Sequence, residues 1–123
     1  MSKTYFVSGH RNITEEEFVK HYEPMLWEKI CEEDACFVVG DCVGVDDMAQ
    51  KYLRAMGVKE VKVYHMFEEP RHCAGFETVG GFTSDIERDS AMTDASDKDI
   101  AWVRPGCEKS GTAQNIERRT KGE

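Results

Sequence analysis

The sequence predicts an α/β fold of three layers, a mostly parallel sheet of four to five strands with helices on both faces. Three observations predict it. Short apolar runs alternate along the chain with segments of helical periodicity, and parallel neighbours need such a crossover between them. Three of the four apolar runs end in turns that carry glycine. The 123 residues, 40% of them hydrophobic, suit one core and so a single domain over 1–123.

Each element has a local reason. TYFVSG is a short apolar run that stops at Gly9, as a strand stops at a turn. In NITEEEFVKHYEPMLWEKICEE, Thr14 and Glu17 make a capping-box pair, and Phe18, Tyr22, Met25, Leu26 and Ile30 recur at helical spacing. Pro24 interrupts that stripe, which predicts a kink or two abutting helices. ACFVVGD reads as a second buried strand ending in glycine plus acid.

In GDCVGVDDMAQKYL and the residues after it, Met48, Ala49, Tyr52, Leu53 and Met56 share one helical face, and Gly57 is placed to cap the helix end. KEVKVYHM alternates and reads as a third strand. The glycine- and aromatic-rich stretch FEEPRHCAGFETVGGFTS is expected to be a long functional loop or lid, with Phe67, Phe76 or Phe82 available to stack on a base. DIERDSAMTDAS then reads as a short helix, DKDIAWVR as a fourth strand, PGCEKSG as a turn and GTAQNIERRTKGE as a last helix. Trp27 and Trp102 are expected in the core. The arrangement is that of a small Rossmann-like domain.

Composition excludes several functions. With 24 Asp and Glu against 16 Lys and Arg, the formal net charge of -8 has the wrong sign for binding bulk nucleic acid. No stretch approaches the roughly 18 apolar residues of a membrane span, and MSKTYFVSGH lacks the apolar core of a secretory signal, so a soluble cytoplasmic protein is expected. Five cysteines without a C-x-x-C pair point to reduced, structural thiols. His10, His65, His72, Cys73 and Cys107 fit no standard ligand spacing, so neither a metal site nor a required cofactor is expected.

In open α/β sheets ligands sit beyond the carboxyl ends of the strands. The strand tips here are SGHR, GDCVGVDD, HMFEEPRHC and RPGCEKSGT. Glycine lets a ligand approach the main chain, and helices starting near Gly44 and Gly111 would present free N–H groups to an anion. Arg11 and Arg88 could add forked hydrogen bonds. Asp46 and Asp47 in the first helical turn either complement the helix dipole or accept hydrogen bonds from a ligand, Asp46 ahead of Asp47.

The set SGHR, GDCVGVDDMA, ERDSAM and SDKDIAWVRPGCEKSGTAQN resembles the SLOG superfamily of Rossmann-like nucleotide-ligand proteins, most closely its DUF2493 (YspA-like) branch. The resemblance covers roughly residues 5 to 119 with motif order preserved. It implies a pocket for a nucleotide or nucleotide-derived small molecule. Ser8, Gly9 and Arg11 match its first motif, Gly40, Gly44, Asp46 and Ala49 the second, Arg88 and Met92 the third, and Pro105, Gly106, Gly111 and Thr112 the last. His10, Asp41, Val45, Ser110 and Asn115, within or beside these motifs, complete the candidate ligand-binding set.

The chain also departs from the pattern. Asp41 replaces a glycine, Asp89 an asparagine, and PGCEKSGT is longer than the family's P-G-G-x-G-T. The family has a further strand after the last helix, so a bare sheet edge, covered by a partner such as a second copy in a homodimer, is expected. Related phosphoribohydrolases place a glutamate where this chain has Asn115. An amide does the work of that carboxylate poorly, so the expectation is a nucleotide-ligand binding or sensor domain. The alternative is an N-glycosidase or phosphoribohydrolase with nucleoside 2-deoxyribosyltransferase-like chemistry, using Asp46, Asp41 or Asp89. A dinucleotide oxidoreductase fits worst, because no G-x-G-x-x-G follows the first strand.

Overall fold

The computed structural model describes residues 3–32, 34–66, 75–106 and 111–122. Its five strands are β1 (Lys3–Val7), β2 (Ala35–Gly40), β3 (Val61–Met66), β4 (Glu77–Phe82) and β5 (Lys98–Ile100). All pair in parallel in the order β4-β3-β2-β1-β5. The chain builds outward from β1 to β4 and then returns to the other side of β1, which makes the β1/β5 boundary the point where strand order reverses.

Side-chain alternation divides the core into two layers. On one face Tyr5, Val7, Phe37, Val39, Val61 and Val63 pack with Phe18 and Leu26 of α1 (Glu15–His21) and α2 (Glu23–Ile30), and with Val45, Ala49 and Leu53 of α3 (Val45–Ala55). On the other face Phe6, Val38 and Tyr64 meet Met92 of α4 (Asp85–Asp94). The last helix, α5 (Gly111–Gly122), lies beside α4 and is tied to β5 by Arg119, whose guanidinium pairs with Asp99 at 2.9 and 3.1 Å. The fold is therefore a small Rossmann-like three-layer α/β domain.

Local signals account for the helix ends. Thr14 and Glu17 form the capping box of α1, and Pro24 sits in the first turn of α2, where its missing N–H removes no helical bond. Tyr22 separates the two helices, the abutting arrangement that Pro24 predicts. At the end of α3, Gly57 has φ +78°, its N–H donates to Arg54 O, and Val58 N–H donates to Leu53 O, a Schellman closure.

Four expectations need correction. Residues 77–82, read as part of a long loop, form the edge strand β4, and residues 67–74 lie outside the described residues. Phe82 stacks on Tyr64 with ring centroids 5.9 Å apart and Phe76 packs against the first core, so both serve packing. Trp27 and Met56 are 53% and 43% exposed: Trp27 points away from the face on which Leu26 is buried, and Met56 is the C-cap residue, one past the last residue of α3. The fourth apolar run pairs only over Lys98–Ile100; beyond it Trp102 leaves the sheet, donates its N–H to the Tyr22 hydroxyl at 3.0 Å and stacks on His21. No described helix is long and apolar enough to cross a membrane.

Candidate functional site

A cavity of about 530 Å³ opens over the carboxyl ends of β1 and β2. Phe6 and Ser8 to Asn12 line it from β1 and its following turn, Cys42 and Asp46 from the β2 turn and α3, Asp85, Arg88, Asp89 and Met92 from α4, and Thr112 and Asn115 from α5. Four segments distant in sequence thus share one wall.

Arg88 is the hub of that wall. Buried itself, its Nη1 donates to Asp41 Oδ1 at 3.0 Å and to Cys42 Sγ at 3.3 Å, and lies 3.2 Å from Asp85 Oδ1. Its Nε and Nη2 both donate to Asp89 Oδ1, at 3.2 and 3.1 Å. All three guanidinium nitrogens are engaged. Burial disfavours the charge, but Asp89, Cys42 and Asp46 outweigh it and hold the arginine ionised. Asp89 is steadied in turn by Asn115, whose Nδ2 donates to its Oδ2 at 3.3 Å, and Asn115 Oδ1 accepts from Arg118 at 2.7 Å.

Asp46 is the unusual acid. It sits in the first turn of α3 with Oδ2 accepting the Cys42 N–H at 3.2 Å. Its carboxyl is raised to about 7: burial pushes it up most, Arg88 and the Cys42 amide pull it down, and Asp89 and Asp41 add to the rise. A carboxyl that gains and loses its proton near neutrality faces the cavity. Asp47, one residue on, pairs with Lys51 at 3.0 Å as an ordinary surface i,i+4 pair.

The β1 turn is braced from behind. The Tyr22 hydroxyl donates to Ser8 O at 2.7 Å. The Arg104 N–H donates to His10 Nε2 at 2.9 Å, which leaves the ring proton on Nδ1, and burial, aided by Arg104, lowers the His10 pKa. The Arg104 guanidinium grips Glu17 through Nε at 3.0 Å and Nη2 at 2.7 Å and reaches Asn12 Oδ1 at 3.0 Å. That fork holds the Glu17 carboxyl down at about 2. Ser8 Oγ, by contrast, is buried with no hydrogen-bond partner among the described residues.

No family model, curated protein or solved structure matches the chain. Among the described residues no group of three or more His, Cys, Asp or Glu could hold a metal ion.

Of the residues nominated from sequence, Ser8, Gly9, His10, Arg11, Asp46, Arg88, Asp89, Met92, Thr112 and Asn115 line the cavity. Gly40, Asp41, Gly44, Val45, Pro105 and Gly106 do not line it, for physical reasons that differ. Asp41 lies behind Arg88 as its buried partner. A Cβ at Gly40 would come 2.5 Å from Asp46 Oδ2, so that glycine makes room for a side chain of the protein itself. At Gly44, with φ +83°, a Cβ would come 2.5 Å from the carbonyl oxygens of His10 and Arg11, and Val45 N–H donates to His10 O at 3.3 Å. The N-terminus of α3 is thus partly spent on the β1 turn and is a poorer anion site than its sequence suggests. Pro105 and Gly106 are exposed, with Gly106 at φ +90° in a turn. Gly111 opens α5, and Ser110 lies outside the described residues, as do Phe67, His72, Cys73 and Cys107.

Sequence reasoning missed Phe6, Asn12, Cys42 and Asp85 in the wall and Arg104 behind it. Asp85 had a signal, one helical turn before Arg88 and so able to share it. Arg104 had none, since its partners lie 87 and 92 positions away.

Proposed function

We propose that the cavity binds a nucleotide or nucleotide-derived small molecule and that the chain acts as a binding or sensor domain of SLOG type. The observation that carries this reading is the buried Ser8 Oγ without a hydrogen-bond partner among the described residues, in the wall of a 530 Å³ cavity beyond the carboxyl ends of parallel strands. A hydroxyl in that state is costly unless a ligand or water completes it. In the proposed complex, Ser8, Asp46 and Asp89 meet sugar hydroxyls, while Phe6 and Met92 supply apolar surface for a base. Thermal-shift screening against nucleosides, nucleotides, cyclic nucleotides and ADP-ribose derivatives tests this, since a ligand at a hundred times its Kd adds about 2.7 kcal/mol. A Tm unmoved by every compound rejects it.

Asp46 favours a second reading, N-glycosidic cleavage. With its carboxyl near 7, a protonated Asp46 passes its proton to the base as the C–N bond breaks, water forms the new C–O bond at the anomeric carbon, and the proton that water loses returns to Asp46, giving free base and the sugar or sugar phosphate. Incubation with nucleosides and nucleoside monophosphates should then release base, and Asp46→Asn should stop it.

A further inference from the structure

Among the described residues that line the cavity, the two arginines are already matched by carboxylates. Arg88 touches the carboxylates of Asp41, Asp85 and Asp89, and Arg11 is paired through Nη2 with Asp85 Oδ2 at 3.1 Å. Two guanidinium groups therefore stand against three carboxylates in contact with them, and Asp46 is a fourth acid in the same wall. Of the three helix starts at the cavity, those of α3 and α4 are used as well. Asp46 and Asp47 occupy the first turn of α3, whose Val45 N–H is taken by His10 O. Asp85 and Glu87 occupy the first turn of α4, where Glu87 N–H donates to the Ser84 cap at 3.1 Å. A phosphate reaching Arg88 would have to displace a carboxylate or lie against several. A sugar hydroxyl, which both donates and accepts, meets no such penalty and can complete Ser8 Oγ.

We infer that the cavity takes the unphosphorylated, nucleoside-like form of its ligand and discriminates against the same molecule carrying a phosphate at Arg88. This rests on the binding reading above and narrows it to a substrate class. Asp85 sets the discrimination in part, because it is shared by both arginines, and at 42% side-chain exposure its replacement does not threaten the core.

The test is calorimetric titration of the protein with adenosine, guanosine, cytidine and uridine and with their 5′-monophosphates, at about pH 8, where the phosphate is a dianion. A nucleoside that binds should do so at least about tenfold more tightly than its monophosphate, and Asp85→Asn should narrow that ratio by about threefold or more. A monophosphate that binds as tightly as its nucleoside, or a ratio indifferent to Asp85→Asn, overturns the inference and leaves the binding reading standing. Failure of all four nucleosides to bind also overturns the inference, while the binding reading falls only if the wider thermal-shift screen is negative as well.

Discussion

Arg88 and Asp41 form an ion pair of 3.0 Å whose side chains are 5% and 1% exposed, and it ties α4 to the turn after β2. The pair crosses from one helix to the tip of another element, so it shapes the cavity wall as well as stabilising it. Each partner is expensive to bury alone.

Arg88→Met should accordingly destabilise the protein by about 3–5 kcal/mol, because Asp41 and Asp89 stay in place without the guanidinium that offsets them. Urea denaturation measures it. Adding Asp41→Asn should recover part of the loss, with a coupling of about 0.5–3 kcal/mol. Strictly additive effects would mean that the pair is not energetically linked.

Asp46 gives the fold a pH dependence of definite sign. Its carboxyl titrates at about 7 in the folded chain against an ordinary value of 3.8, so between those values the unfolded chain has lost a proton that the folded chain keeps. The contribution is whole below the unfolded value and is lost as pH rises through about 7, by at most about 1.4 kcal/mol per pH unit. Asp46→Asn keeps an acceptor for the Cys42 N–H and does not titrate. The stability of the wild type minus that of this variant should fall from about pH 4 to about pH 8, and a flat difference would contradict the assignment.

Gly44→Ala should cost about 1–3 kcal/mol or more, since it combines a φ of +83° with a Cβ 2.5 Å from two backbone carbonyl oxygens that cannot swing away. Gly57→Ala is the control, with a positive φ but open space at the Cβ. If the two cost the same in thermal unfolding, contact with the His10 and Arg11 carbonyls adds nothing.

Legibility in the sequence followed how local each cause was. The capping box, Pro24, Gly57 and the β1 and β2 runs depend on neighbours within a few residues, and each appears where its pattern places it. β4 escaped notice because ETVGGF carries two glycines and an exposed edge; its partner is β3, and Gly80 leaves room for the His65 ring, facts set by pairing at a distance. Ser8 to Arg11 and Arg88 were legible as cavity residues from the strand-tip rule. The state of Arg88 was not, since Asp41 lies 47 positions away and nothing in ERDSAM shows that three carboxylates already surround the guanidinium. Gly9 looked like a place for ligand approach, yet a Cβ there would collide with Val45 and the Tyr22 hydroxyl, so packing of α3 on β1 requires it.

Ser8→Ala, read twice, tests the cavity most directly. In the free protein, removing a buried hydroxyl that has no partner among the described residues should leave stability unchanged or raise it by up to about 1 kcal/mol. With a nucleoside that shifts the wild type, the same variant should bind about fivefold or more weakly, the loss of one hydrogen bond. A variant that is less stable when free and binds as well as the wild type would show that Ser8 serves the fold and not a ligand.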